Sequence, residues 1–122
     1  MELTIPTPHG SVVVEAQPTE THGLVTHPVL LSDDTADLDW RTVTHTPSGL
    51  RFPINFPNDQ RAADFANSIG HLADWQQATP DIPKAEVLQI AVRHGGITDT
   101  TYCLGAYQSE RTTAVEVRKA GE

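Results

Sequence analysis

The sequence predicts an α+β domain, an antiparallel sheet of about four to five strands packed by one long helix and by a second helix. Three observations lead there. Residues 40–56 alternate like two strands around Thr46-Pro47-Ser48-Gly49. Residues 58–76 then carry an apolar stripe at helical spacing. Before both, short β-branched runs are broken by proline and glycine, as in strands joined by turns. At 122 residues the expectation is one domain, 1–122. Its parts would be a strand-rich 1–56, a main helix over 58–76, a second helix over 84–94, and an ambiguous 95–122.

The hairpin at 40–56 is the best defined part. Leu50, Phe52 and Ile54 alternate with Arg51 and Pro53, the period of a strand with one buried face. Trp40 to His45 is rich in the aromatic and β-branched residues that strands favour. Pro47 pre-sets φ for a turn, and Gly49 suits a position of positive φ. Pro53 cannot donate to a ladder, which predicts an edge strand or an unpaired position there.

The main helix should begin at Asn58, a good N-cap, with Asp59 favoured by the helix dipole. Ala62, Phe65, Ala66, Ile69, Leu72 and Ala73 form the stripe. Pro80 and Pro83 end the segment. Trp40, Leu50, Phe52, Ile54, Phe65, Ile69 and Leu72 are the expected core.

Elsewhere, residues 3–15 read as a first hairpin around Thr7-Pro8-His9-Gly10, and 23–31 as a third strand interrupted by Pro28. Residues 32–39 hold four aspartates and read as a solvated acidic loop. Residues 85–94 read as a helix that Gly95-Gly96 would stop, with a strand as the alternative because of Val87, Ile90 and Val92. Thr112 to Arg118 suits a last strand.

Composition excludes several activities. The formal charge is −8, from 16 acidic and 8 basic residues, so a nucleic-acid backbone is disfavoured as a direct partner and a basic protein surface is favoured. Cys103 is the single cysteine, which rules out an intramolecular disulfide and a multi-cysteine metal site. No apolar run approaches the ~20 residues of a membrane span, and the N-terminus lacks a basic leader, so the expected location is the cytoplasm.

No motif carries chemistry. His9, His22, His27, His45, His71 and His94 show no metal-ligand spacing. The aspartates at 33, 34, 37 and 39 lack the alternation, central glycine and distal glutamate of a calcium loop. Cys103 has no adjacent base and reads as a buried or inert thiol. Gly95-Gly96 lacks the lysine of a phosphate loop. The expectation is therefore no catalytic residue, no metal and no cofactor. Residues 85–107 resemble a degenerate helix-turn-helix, although the second helix would carry Asp99 and no arginine or lysine.

Trp40, Val43, Thr44-His45-Thr46-Pro47-Ser48-Gly49-Leu50, Ala62, Ala66 and Asp74-Trp75 resemble small uncharacterised proteins of actinobacteria and their phages and plasmids. The resemblance covers about a third of the chain and implies a mobile-element accessory protein, with no catalytic residue carried over.

The expected function is a non-enzymatic acidic protein-interaction module, an accessory or inhibitor protein of a phage or plasmid. Asp33, Asp34, Asp37, Asp39 and Trp40 would form the contact surface, with Trp75 as a substitute aromatic anchor. The alternative is a nucleic-acid-binding regulator using residues 85–107.

Overall fold

In a computed structural model of the chain, residues 1–8, 10–31, 35–108 and 114–120 are described. Strands β1 (Glu2–Thr7) and β2 (Gly10–Glu15) form an antiparallel hairpin. The N-terminal ammonium closes its open end by donating to the Glu15 carboxylate and the Ala16 carbonyl. Beyond Ala16 the chain enters β3 (Gln17–Pro18), which pairs with β4 (Leu24–Leu30). Strand β5 (Thr35–His45) lies between β4 and β6 (Leu50–Phe56).

Two irregularities shape this sheet. Thr42 pairs with Asn55 but Thr44 pairs with Arg51, so Phe52, Pro53 and Ile54 stand against Val43 alone. Pro53 sits inside this bulge, where no ladder donor is needed. The Thr42 hydroxyl is 2.9 Å from the Ile54 carbonyl and donates to it. The second irregularity is on β5 itself. Pro28 pairs with Arg41 and Val29 with Asp37, which leaves Leu38, Asp39 and Trp40 outside the ladder.

Helix α1 (Asp59–Ser68) starts as its sequence requires. The Asn58 side chain accepts the Arg61 N–H, and Asp59 lies in the first turn. The helix is shorter than the apolar stripe predicts. It stops at Ile69, and a 3-10 turn (Gly70–Leu72) follows. Two outside groups take up carbonyls at this end: the Thr21 hydroxyl donates to Ala66 and the Trp75 indole N–H to Ile69. A side chain at Gly70 would meet Thr21 Oγ1 at 2.7 Å. The single long helix over 58–76 is thus replaced by ten helical residues and a turn.

Helix α2 (Lys84–Arg93) ends where Gly95 takes a φ of 79° and the Gly96 N–H returns to the Ala91 carbonyl. The chain then adds β7 (Ile97–Thr98) to β6 and continues into α3 (Asp99–Gln108). Strand β8 (Ala114–Glu116) pairs with β5 at residues 35–37, and β9 (Arg118–Lys119) pairs with β2. The described residues form an α+β architecture with two antiparallel sheets: β1-β2-β9, and β3-β4-β5-β6-β7 with β8 beside β5.

Helix α1 packs on β4, β5 and β6 and defines one face of the larger sheet. Leu24, Val43, Phe52, Ile54, Phe56, Ala62, Phe65, Ala66 and Ile69 form the core there, with Trp75, Val87 and Ala91. Three expected core residues differ. Leu50 is 70% exposed, since it closes the ladder beside the turn while Trp75 fills that end of the core edge-on to His45 and Phe52. Trp40 is half-buried in the β5 bulge. Leu72 packs only partly against the cluster. The opposite face is rich in polar side chains, with the buried Val25 opposite Thr44. Register places His27, Thr42, Thr44 and Asn55 there, all buried. Helix α3 covers part of it, because Asp99 reaches Asn55 and Tyr102 reaches Asp37.

Candidate functional site

The acidic stretch expected to be a solvated loop is a strand from Thr35 onward. Asp33 and Asp34 lie outside the described residues. Asp37 is buried, at 1% exposure, and works as an internal ligand of the fold. One carboxylate oxygen accepts the Tyr102 hydroxyl at 2.6 Å, and the other accepts the Asp39 N–H at 3.0 Å. A buried carboxylate needs such donors to offset its desolvation. Held from below in this way, the bulge turns Leu38 and Asp39 outward, with Leu38 53% exposed. The Trp40 ring stands edge-on to Tyr102, centroids 5.7 Å apart. Trp40, the bulge and Tyr102 thus form one unit, and Tyr102 was not foreseen from sequence.

Trp75 does not offer an accessible ring. It is 2% exposed, donates its indole N–H to the Ile69 carbonyl, and accepts the His45 Nε2 proton at its own carbonyl. Gly23 is required beside it: with φ at 100°, a side chain there would come within 2.2 Å of the Trp75 oxygen.

Two histidines on β4 and β5 are wired alike. His27 Nδ1 faces the Pro28 carbonyl at 2.8 Å, which can only accept, so Nδ1 carries the proton. Nε2 is then bare and accepts the Thr44 hydroxyl at 2.7 Å. Burial, assisted by the positive charges of Arg41 and Arg51, lowers the His27 pKa to about 4 against the opposing pull of the Pro28 bond. In His45 the two nitrogens exchange roles. Nε2 donates to the Trp75 carbonyl at 2.7 Å, and Nδ1 accepts the Ser48 hydroxyl at 2.7 Å. Ser48 is only partly buried, on the turn between β5 and β6.

A third cluster pins α3. Arg51 donates two bonds to Asp99, at 2.8 and 2.6 Å, and one to Asn55, whose amide in turn donates to Asp99. The Arg51 bonds, helped by Asn55, hold the Asp99 carboxyl below its ordinary range despite partial burial. As the first residue of α3, Asp99 also faces the positive end of the helix dipole.

Among the described residues no group of three or more histidine, cysteine, aspartate or glutamate side chains could hold a metal ion. Cys103, expected to be buried or inert, is exposed on α3. In the segment that resembles a helix-turn-helix, β7 separates the two helices; α2 packs on α1, whereas α3 packs on β6 and β7. No helix among the described residues is long and apolar enough to cross a membrane. No protein-family model, curated protein or solved structure matches the chain.

Proposed function

We propose that the chain is an acidic protein-interaction module that meets its partner through the Leu38-Asp39-Trp40 bulge, and that the partner presents a basic surface. The observation that carries this reading is the bulge itself. Three consecutive residues leave the ladder, and they combine an exposed leucine, an exposed carboxylate and a half-buried tryptophan over a fixed Asp37–Tyr102 support. Bulges of this kind re-aim side chains at sites of use. Charge on Asp39, with Asp33 and Asp34 before it, would steer encounter, and Leu38 and Trp40 would supply short-range affinity. Asp37 acts from beneath and Trp75 takes no part. In the mobile-element setting that the resemblance implies, such a module serves as an accessory or inhibitor.

The test begins with a photo-crosslinking residue at position 38 in the producing cell, to capture the partner. With the purified pair, replacing Asp33, Asp34 and Asp39 together by asparagine should slow association and flatten its salt dependence. Trp40→Ala should mainly speed dissociation. An association rate unchanged in the triple variant removes the acidic residues from the reading.

A further inference from the structure

The turn between β5 and β6 holds a second arrangement, independent of the bulge. The Trp75 carbonyl accepts from His45 Nε2, so the proton of this imidazole is fixed there and Nδ1 presents its lone pair to Ser48. Toward that nitrogen the Ser48 hydroxyl can therefore only donate, over 2.7 Å, and its other acceptor in reach, the His45 carbonyl, lies farther away at 3.4 Å. Leu50 N–H donates to the same oxygen at 3.2 Å and holds it in place. A hydroxyl, a base within hydrogen-bond reach, and a third group that orients the base are the parts of an activated nucleophile. His45 is 4% exposed and its ring is braced edge-on by Trp75, so the base cannot swing away. Ser48 itself reaches solvent at the turn.

We propose that Ser48 is a reactive serine that takes an acyl group from an activated ester or thioester. The oxygen of Ser48 attacks the acyl carbonyl. Its proton passes to His45 Nδ1, the bond from the carbonyl carbon to the leaving oxygen or sulfur breaks, and the leaving group departs with that proton. No redox partner is needed. The neighbouring backbone donors are already committed, Gly49 N–H to the His45 carbonyl and Leu50 N–H to Ser48 Oγ. With no donor pair aimed at a tetrahedral oxyanion from this turn, the expected outcome is a single stable acylation rather than rapid turnover.

The full-length protein is incubated with para-nitrophenyl acetate, and the acetyl group is located by peptide mass spectrometry. Ser48 should be labelled roughly a hundredfold or more faster than Ser11 on β2, the contribution expected of a positioned base. Its rate should rise with pH and then level as one group loses its proton. Ser48→Ala should lose the label, and His45→Gln should reduce Ser48 labelling to the Ser11 rate. Equal labelling of Ser11 and Ser48 overturns the proposal, as does undiminished labelling in a folded His45→Gln protein. Should that variant not fold, the natural protein decides alone: a rate that climbs with hydroxide and never levels also overturns it.

Discussion

His27 and His45 lie on adjacent strands and are built to one plan, yet the fold puts them in different physical regimes. Each imidazole donates to a main-chain carbonyl and accepts a hydroxyl proton. Around His27 every element of the array is sealed, with the ring at 1% exposure and Thr44 at 2%. Around His45 the ring is buried but its hydroxyl partner lies on a turn that meets solvent. The same wiring is a structural tie in one place and a nucleophile's setting in the other. What separates them is access, not the hydrogen bonds.

The largest expected effect breaks the carbonyl that orients His45. Gly23→Ala demands a positive φ of an alanine and drives its side chain into the Trp75 oxygen. Backbone strain and displacement of Trp75 together should cost roughly 3 kcal/mol or more. Denaturant unfolding of the two proteins checks this. A midpoint close to the natural protein's would mean that the Trp75 carbonyl is not rigidly placed.

The next effect belongs to His27 and follows pH. Its folded pKa is lowered from 6.5 to about 4, so the unfolded chain binds the proton first. The stability this group contributes is complete above about pH 6.5, declines as pH falls toward 4, and is gone below. The difference corresponds to about 3 kcal/mol. Asp99 acts in a separate, lower window: its pKa is also lowered, so its contribution is present above the ordinary 3.8 and is lost as pH falls further. Unfolding free energy measured across this range should therefore slope between pH 6.5 and 4 in the natural protein. His27→Gln should flatten that slope even if it lowers the stability at every pH. An equal slope in both proteins would assign the acid sensitivity to other groups.

How much of this could be read from the chain depends on whether the deciding contact is local. The 40–56 hairpin, the Asn58 cap and the Gly95 stop were legible because turn and cap chemistry acts within a few residues. The end of α1 was not, since the apolar stripe continues through Ile69 and Leu72 while the groups that stop the helix, Thr21 and Trp75, come from outside it. The strand at 35–39 was hidden for a similar reason. An aspartate in a polar run looks solvated, and only Tyr102, 65 residues away, makes Asp37 an interior residue. The half-buried tryptophan of the bulge was legible as an aromatic beside acidic residues, whereas the outward turn of Leu38 depends on the break in pairing between Pro28 and Val29. His45 and Ser48, three residues apart across a turn, were in plain sight, but their pairing acquires meaning only from the Trp75 carbonyl that fixes the tautomer.

A smaller effect tests the hydroxyl of the sealed array. Thr44→Val keeps the shape of the side chain and removes the proton that His27 Nε2 accepts. Buried and left without a donor, that nitrogen should cost the fold roughly 1–3 kcal/mol. Thermal unfolding near neutral pH reads this out. A change well under that range would mean that water reaches the site, and the contrast between the two arrays would narrow.

The smallest effect is the counterpart on the open array, and it decides whether access is the true difference. Ser48→Ala removes the donor to His45 Nδ1, the same chemical loss as Thr44→Val. Here the oxygen lies on a partly exposed turn, so a water molecule can take its place and bond the imidazole nearly as well. The other ring nitrogen stays tied to Trp75. The Leu50 N–H, which loses its bond to Ser48 Oγ, belongs to a residue that is itself 70% exposed and can turn to solvent. The expected cost is under about 1 kcal/mol, as for most surface substitutions. Measured beside Thr44→Val in one buffer, the two variants form a ladder in which chemistry is held constant and exposure changes. If Ser48→Ala costs as much as Thr44→Val, the turn is as dry as the sheet interior, and an acyl donor would have no route to Ser48.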